Sequence, residues 1–444
     1  MSLLRRAWWR AWLKRQYRRY QADNPFKVYR FLDRSQWWER ERLDNFRLMK
    51  VKKLLRYAMT HVPYYRERLK GLELAHFTLD DMKHLPVLTR DMVRAHFERL
   101  RTDEDSHGMV KAYTSGSTGT PMLIYRSLQA SALNIGGTFR YLGWWGVKPG
   151  ERRVVIWGRT DSSQRAAIAL FKRLNRKLVN HTLVFDVFDL NPESITTYLA
   201  RLRDFKPAYI EGYGSALKTF GQLMADCRLA IEPVRLKVVV AYGEVLNDQY
   251  RQLMEQAFGC PVMNQYGSRD GGLVAYECPE GGMHIQEESQ YIWIDHQDEY
   301  VGTELDNFAM PLINYKVGDR LALSSDMCAC GRQLALINKV WGRSGDMVRK
   351  PDGTFISDWI FYYIFKELSE NGANRLVRQF KVIQEKNSFD VLIVKDIGYT
   401  ESATDFIRQK MRSHIGDFIE IRFRFVKAIE RERSGKLKQF VRKD

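Results

Sequence analysis

No apolar run in the 444 residues is long enough to span a bilayer, and there is no low-complexity tract or internal repeat. These absences argue against a helical membrane protein, a repeat array and a disordered linker. The opening MSLLRRAWWRAWLKRQYRRY is positively charged but lacks the apolar stretch and small-residue cleavage site of a secretory signal, so the expected localisation is cytoplasmic. Five cysteines (Cys227, Cys260, Cys278, Cys328, Cys330) are too few for a disulfide scaffold in a chain of this length. No Gly-Lys-Ser/Thr follows a glycine-rich loop, which excludes a Walker-type phosphate loop. No Gly-x-Ser-x-Gly elbow is present either; GYGS at 212–215 lacks the last glycine, so a hydrolase of that type is excluded.

Positive charge is in excess: 71 Lys and Arg stand against 53 Asp and Glu, a net +18. Such a field attracts phosphorylated ligands, anionic lipid or nucleic acid. Zinc-finger, basic-zipper and aromatic RNA-binding signatures are missing and the charge is spread along the chain, so no nucleic-acid partner is expected. Only the ends concentrate it. In residues 1–20, Arg5, Arg6, Arg10, Lys14, Arg15, Arg18 and Arg19 interleave with Trp8, Trp9 and Trp12. At helical spacing Leu4, Trp8, Ala11 and Trp12 share a face, which suits either a helix packed on its own domain or peripheral membrane contact.

Hydrophobic residues at 45% and charged residues at 28% fit a globular protein, and the length suggests roughly two or three domains. RRVVIWG, AYIEGYG and LKVVVAYGE read as strands ending in glycine, with SALKTFGQLMADC and LNDQYRQLMEQAFG as following helices. That alternation predicts an α/β domain with ligands at the strand C-termini. After GRSGDMVRKPDGT the pattern becomes helix DWIFYYIFKELSEN, strands RLVRQFKVIQ and FDVLIVKD, a helix around SATDFIRQKMRSH and strand IEIRFRFVKAI. The expected division is therefore an α/β domain over 1–345 and a small α+β lid over 346–444.

Thr114-Ser115-Gly116-Ser117-Thr118-Gly119-Thr120-Pro121 combines glycines that let backbone N–H groups approach phosphate with hydroxyl donors. YTSGSTGTP resembles the phosphate loop of the adenylate-forming superfamily. HVPYYRERL, LPVLTRDMVRAHFERL, KPAYIEGYGSAL, NQYGSRDGG and INYKVGDR resemble its phenylacetate–coenzyme A ligase branch and, more narrowly, relatives encoded in capsular polysaccharide clusters. The resemblance runs from about residue 50 to the C-terminus.

It implies ATP and Mg²⁺ as cofactors and an acyl-AMP product passed to coenzyme A. An amine acceptor on a surface-polysaccharide sugar acid or precursor stands as the alternative, and a catalytically inactive nucleotide- or nucleic-acid-binding protein as a further one. By the same resemblance Ser115, Gly116, Ser117, Thr118 and Gly119 wrap the phosphates, and Gly243 and Glu244 lie against adenine. Tyr266 and Gly267 form the other adenine wall, Asp319 accepts the ribose hydroxyls, and Arg343 contacts the ribose or phosphate side. Asp270 stands where the superfamily usually has a magnesium-binding Glu, shorter by one methylene. Asp346 occupies the hinge position, and Lys436 in Ser434-Gly435-Lys436 matches the catalytic lysine that stabilises charge building on the α-phosphate. A homodimer is compatible with the resemblance.

Cys278, His284, Cys328 and Cys330 offer four ligands for a structural tetrahedral zinc, with reduced core thiols as the other reading; Cys227 and Cys260 read as ordinary buried thiols.

Overall fold

The computed structural model describes residues 23–103, 108–113, 122–158, 181–343, 347–370, 376–432 and 435–443. The expected basic helix at 1–20, the loop residues 115–119 and Asp346 lie outside them. The described chain falls into two compact units. One runs to Val317 and includes Leu321–Val340; the other comprises Gly318–Arg320 and the residues from Trp341 onward.

In the first unit, β1 (Met109–Tyr113) and β2 (Leu123–Ser127) form an antiparallel hairpin. The large sheet contains β3 (Arg153–Trp157), β4 (Thr182–Asp186), β5 (Tyr209–Tyr213), β6 (Val238–Tyr242), β7 (Val262–Ser268), β8 (Gly272–Glu277), β9 (Met283–Ile285), β10 (Gln290–Ile294), β11 (Glu299–Glu304), β12 (Tyr315–Ser324) and β13 (Leu336–Arg343). Their order is β10-β11-β12-β13-β9-β8-β7-β6-β5-β3-β4. Strands β4, β3, β5, β6 and β7 are mutually parallel, and the direction reverses at β8.

The parallel strands carry continuous apolar runs because both of their faces are covered. On β6, Val239 and Ala241 join the core beneath helices Pro192–Phe205, Gly214–Asp226 and Asp248–Phe258, while Val238 and Val240 pack on the other side with Tyr141 and Tyr276. The helices begin where the sequence caps them. Asn191 accepts from Ser194 N at 2.8 Å with Pro192 in the first turn, and Asn247 accepts from Tyr250 N at 2.8 Å. The other large core lies under helix Arg40–His61 and the antiparallel strands, with Leu54, Leu55, Tyr65, Tyr291 and Tyr315 buried in it.

The second unit has the hairpin β14 (Met347–Arg349) and β15 (Phe355–Ser357), and a sheet of β16 (Val377–Glu385), β17 (Ser388–Lys395), β18 (Glu420–Phe425) and β19 (Phe440–Lys443) in the order β18-β17-β16-β19. Helices Trp359–Glu370 and Glu401–Ile415 cover one face, burying Phe361, Phe365, Ile407 and Met411 against Phe380, Val391 and Phe440. The strands and helices read from the sequence for both units fall at these positions, and the architecture is the expected α/β sheet domain with a small α+β domain.

Candidate functional site

Neighbouring parallel strands bring two distant motifs together. Tyr242 on β6 is in register with Gln265 on β7, so Gly243–Glu244 and Tyr266–Gly267 emerge side by side at the strands' carboxyl ends. Ligands of open α/β sheets bind beyond such ends. Gly243 has φ +72° and turns the chain off the sheet. Glu244 then accepts from Ser215 N at 2.6 Å and from Ser215 Oγ at 2.9 Å. Ser215 lies in the first turn of helix Gly214–Asp226, whose N-cap residue Tyr213 makes no side-chain cap bond, so Glu244 supplies the negative cap from the next strand. Trp157 stacks on Tyr213 at 4.4 Å, with Tyr242 5.7 Å away and the Arg269 guanidinium 6.0 Å from the indole, which makes an aromatic wall at the ends of β3, β5 and β6.

The β7–β8 connection carries Asp270. A register irregularity falls between Tyr266 and Gly267, and a Cβ on Gly267 would lie 2.6 Å from the Gly272 carbonyl oxygen, so only glycine fits. Four bonds fix the turn. Gly271 N donates to Ser268 Oγ at 2.8 Å, Arg126 Nη1 to the Arg269 carbonyl at 3.2 Å, Gln290 Nε2 to the Gly271 carbonyl at 3.3 Å, and Tyr315 Oη to Asp270 Oδ2 at 2.9 Å. Asp270 is 8% exposed and lines a cavity of about 10 Å³ together with Tyr300, Glu304 and Asn307. A carboxylate oxygen is the hard donor that Mg²⁺ prefers, so the residue fits that metal by chemistry.

Asp319 is half-buried on β12, in the stretch grouped with the second unit, and Arg343 ends β13. Lys436 belongs to the second unit, in a tight turn where Glu432 N donates to the Lys436 carbonyl at 2.9 Å and Gly435 N to the Glu432 carbonyl at 2.8 Å.

The four predicted zinc ligands do converge. The ligand atoms of Cys278, His284, Cys328 and Cys330 all lie within 4.8 Å of one another. Cys278 Sγ is 3.5 Å from Cys328 Sγ, and Cys330 Sγ is 3.2 Å from His284 Nε2. A tetrahedron with Zn–S bonds of about 2.3 Å has edges of about 3.8 Å, so the set fits zinc with little movement. His284 Nδ1 lies 3.3 Å from the Leu334 carbonyl, which favours the tautomer that presents Nε2 to a metal. Backbone turns hold the thiols: Gly281 N donates to the Cys278 carbonyl at 2.9 Å and Gly331 N to the Cys328 carbonyl at 3.0 Å. A Cβ on Gly282 would sit 2.6 Å from Cys328 Sγ. Burial pushes the Cys278 thiol up to about 12; at Cys330 burial is outweighed by bonds from Arg332, and the thiol is lowered. Of the two remaining cysteines, Cys260 is buried and pushed up to about 12 by that burial, whereas Cys227 is only partly buried beside the same core.

Sequence reasoning missed the buried polar layer behind these sites. Arg126 pairs with Glu304 and Lys50 with Asp306, all largely buried. Glu287 receives Arg40 at 2.8 Å and Arg47 at 3.0 Å, and Glu288 receives Arg140 at 2.6 Å with both side chains fully buried. Burial pushes the Glu304 and Asp306 carboxyls up, against the pull of Arg126 and Lys50. The acidic segment His284–Gln290 marks this layer in the sequence, but its cationic partners are far away along the chain.

The fold, a large sheet with glycine-bearing motifs at its parallel strand ends and a separate small domain, is shared with solved acyl-CoA ligases. Its backbone superposes on a 2-hydroxyisobutyryl-CoA ligase, solved in the postadenylation state with R3-HIB-AMP, with a TM-score of 0.72 over 92% of this chain and 91% of the other, at 16% identity. In sequence the chain is similar to CapK and to a phenylacetate–coenzyme A ligase. It is 25% identical to Protein CapK of Staphylococcus aureus over 68% of each chain. It is 24% identical to the phenylacetate-coenzyme A ligase of Thermus thermophilus over 70% of this chain and 72% of the relative. Residues 348–443 match the CapK C-terminal domain. These relationships support an AMP-forming ligase. No helix among the described residues is long and apolar enough to cross a membrane.

Proposed function

We propose that the protein activates a carboxylic acid with ATP, forming an acyl-AMP and pyrophosphate, and passes the acyl group to coenzyme A. The observation that carries the reading is the junction of AYGE and QYGSRD at adjacent parallel strand ends in a homologue of phenylacetate–coenzyme A ligase. Gly243, Glu244, Tyr266 and Gly267 border the adenine, and Asp319 takes the ribose hydroxyls with Arg343 beside it. Residues 115–119 hold the phosphates. Bound Mg²⁺, held through Asp270, supplies charge neutralisation of the phosphates. Lys436, on a domain beginning at Asp346, places an ammonium against charge developing on the α-phosphate as the carboxylate attacks. The coenzyme A ligases among the relatives favour a thiol acceptor. Cys278, His284, Cys328 and Cys330 hold a zinc with all four positions filled by protein, which braces two loops and takes no part in catalysis.

The test is pyrophosphate release from ATP and Mg²⁺ over a panel of aromatic, fatty and sugar acids, with and without coenzyme A. Acid-dependent release that falls on the order of a hundredfold in Lys436→Ala is expected. Release that ignores the acid contradicts adenylation, and release stimulated by amines but not by coenzyme A moves the acceptor to an amine.

A further inference from the structure

Asp270 is one methylene shorter than a glutamate at the same place, so its reach toward a metal depends on how its carboxylate is held. The structure shows how. The backbone on both sides of Asp270 is pinned, by Arg126 on the Arg269 carbonyl and by Ser268 Oγ on Gly271 N. The side chain accepts a hydrogen bond from the Tyr315 hydroxyl at 2.9 Å. Tyr315 opens β12, is 1% exposed, and packs within the first unit's larger core, so its ring has little freedom. On the far side the cavity of about 10 Å³ leaves room for about one water molecule. Glu304, paired with Arg126, and Asn307, which donates to the Tyr125 carbonyl at 3.0 Å, line the same cavity. Tyr315 therefore fixes which carboxylate oxygen is turned toward its buried hydroxyl and leaves the other outside that bond.

We infer that Tyr315 is the positioning residue for the metal-binding carboxylate: its hydroxyl holds Asp270 Oδ2 and thereby aims Oδ1 at the cation on the nucleotide phosphates. A carboxylate has about four acceptor sites and this bond occupies one, so holding and ligation are compatible. The inference rests on the adenylation reading and deepens it. It joins the Tyr of INYKVGDR to the Asp of NQYGSRD, 45 residues earlier, in a single device.

Calorimetric titration of ATP into the full-length protein, in Mg²⁺ and separately in EDTA, tests this without any acid substrate. Tyr315→Phe keeps the ring and removes only the hydroxyl. It is expected to weaken ATP binding about tenfold in Mg²⁺, the usual cost of losing a group that orients a metal ligand, and to leave binding in EDTA unchanged. Asp270→Asn should show the same Mg²⁺-specific loss, and Tyr315→Phe added to it should cost nothing more, because the two act as one unit. Equal losses in Mg²⁺ and EDTA, or additive losses in the double variant, would overturn the inference and reduce Tyr315 to a core residue. Wild-type binding that Mg²⁺ does not strengthen overturns the inference alone. Absence of ATP binding overturns the adenylation reading with it.

Discussion

Strand β8, Gly272–Glu277, has a candidate cation site at each end, and the two differ in every respect that matters chemically. Before it, Asp270 offers hard oxygen from one side chain, steered by Tyr315 and backed by polar neighbours. After it, Cys278 begins a set of three sulfurs and one imidazole nitrogen that closes on itself. Six residues of strand separate them by roughly 20 Å. A single short carboxylate suits a cation that arrives and leaves with nucleotide; a complete soft donor set suits one that stays. The two turns that flank one strand thus present donor sets of opposite chemical character, hard oxygen before it and sulfur with imidazole after it.

That contrast is breakable in order of expected effect. Replacing Cys328 and Cys330 by serine should abolish zinc content by elemental analysis. It should also lower stability by about 4 kcal/mol where free zinc exceeds its dissociation constant a thousandfold, read from denaturant midpoints with and without chelator. The Mg²⁺ requirement of the enzyme should not move; a changed requirement would show that the two sites are coupled. Asp270→Asn should do the reverse, cutting the Mg²⁺-dependent pyrophosphate release about a hundredfold with an unchanged thermal midpoint. Gly282→Ala should resemble the cysteine variants more weakly, because the new methyl must displace the Cys328 sulfur, and zinc should be lost faster to chelator.

Smaller effects belong to the framework. Glu244→Ala removes the borrowed cap of helix Gly214–Asp226 and should cost about 1 kcal/mol of stability by urea unfolding. The buried carboxyls give a pH signature with a definite sign. Burial raises Glu304 above its ordinary 4.5 and Asp306 above its ordinary 3.8, against Arg126 and Lys50. Each therefore favours folding in its protonated form, fully so below the ordinary value, and that contribution is lost as pH rises through the raised one. The stability profile of Glu304→Gln should lack that decline, which sets in as pH rises past 4.5, and an unchanged profile would contradict the assignment.

Much of this was legible in the sequence, and the reason is locality. Strand runs ending in glycine, the two helices that follow them and the order of short motifs are set within a few residues, and they appear where the pattern put them. The Cys and His cluster was legible by type, since few residue types bind zinc. What could not be read is pairing at long range. Nothing near Glu288 announces Arg140, 148 residues away, and nothing near Asp270 announces Tyr315. Both are chosen by how sheet and helices stack, and a buried ion pair looks in sequence like any two charges. Glu244 shows the same limit: its motif was recognised, but its bonds to Ser215 exist only because β5 and β6 are neighbours.

Isotope exchange between labelled pyrophosphate and ATP isolates the first half-reaction of adenylation, with no acyl acceptor present. Exchange is expected only with an acid substrate and Mg²⁺ present, and should disappear in Lys436→Ala. Exchange independent of any acid, or equally fast in Lys436→Ala, would contradict adenylation.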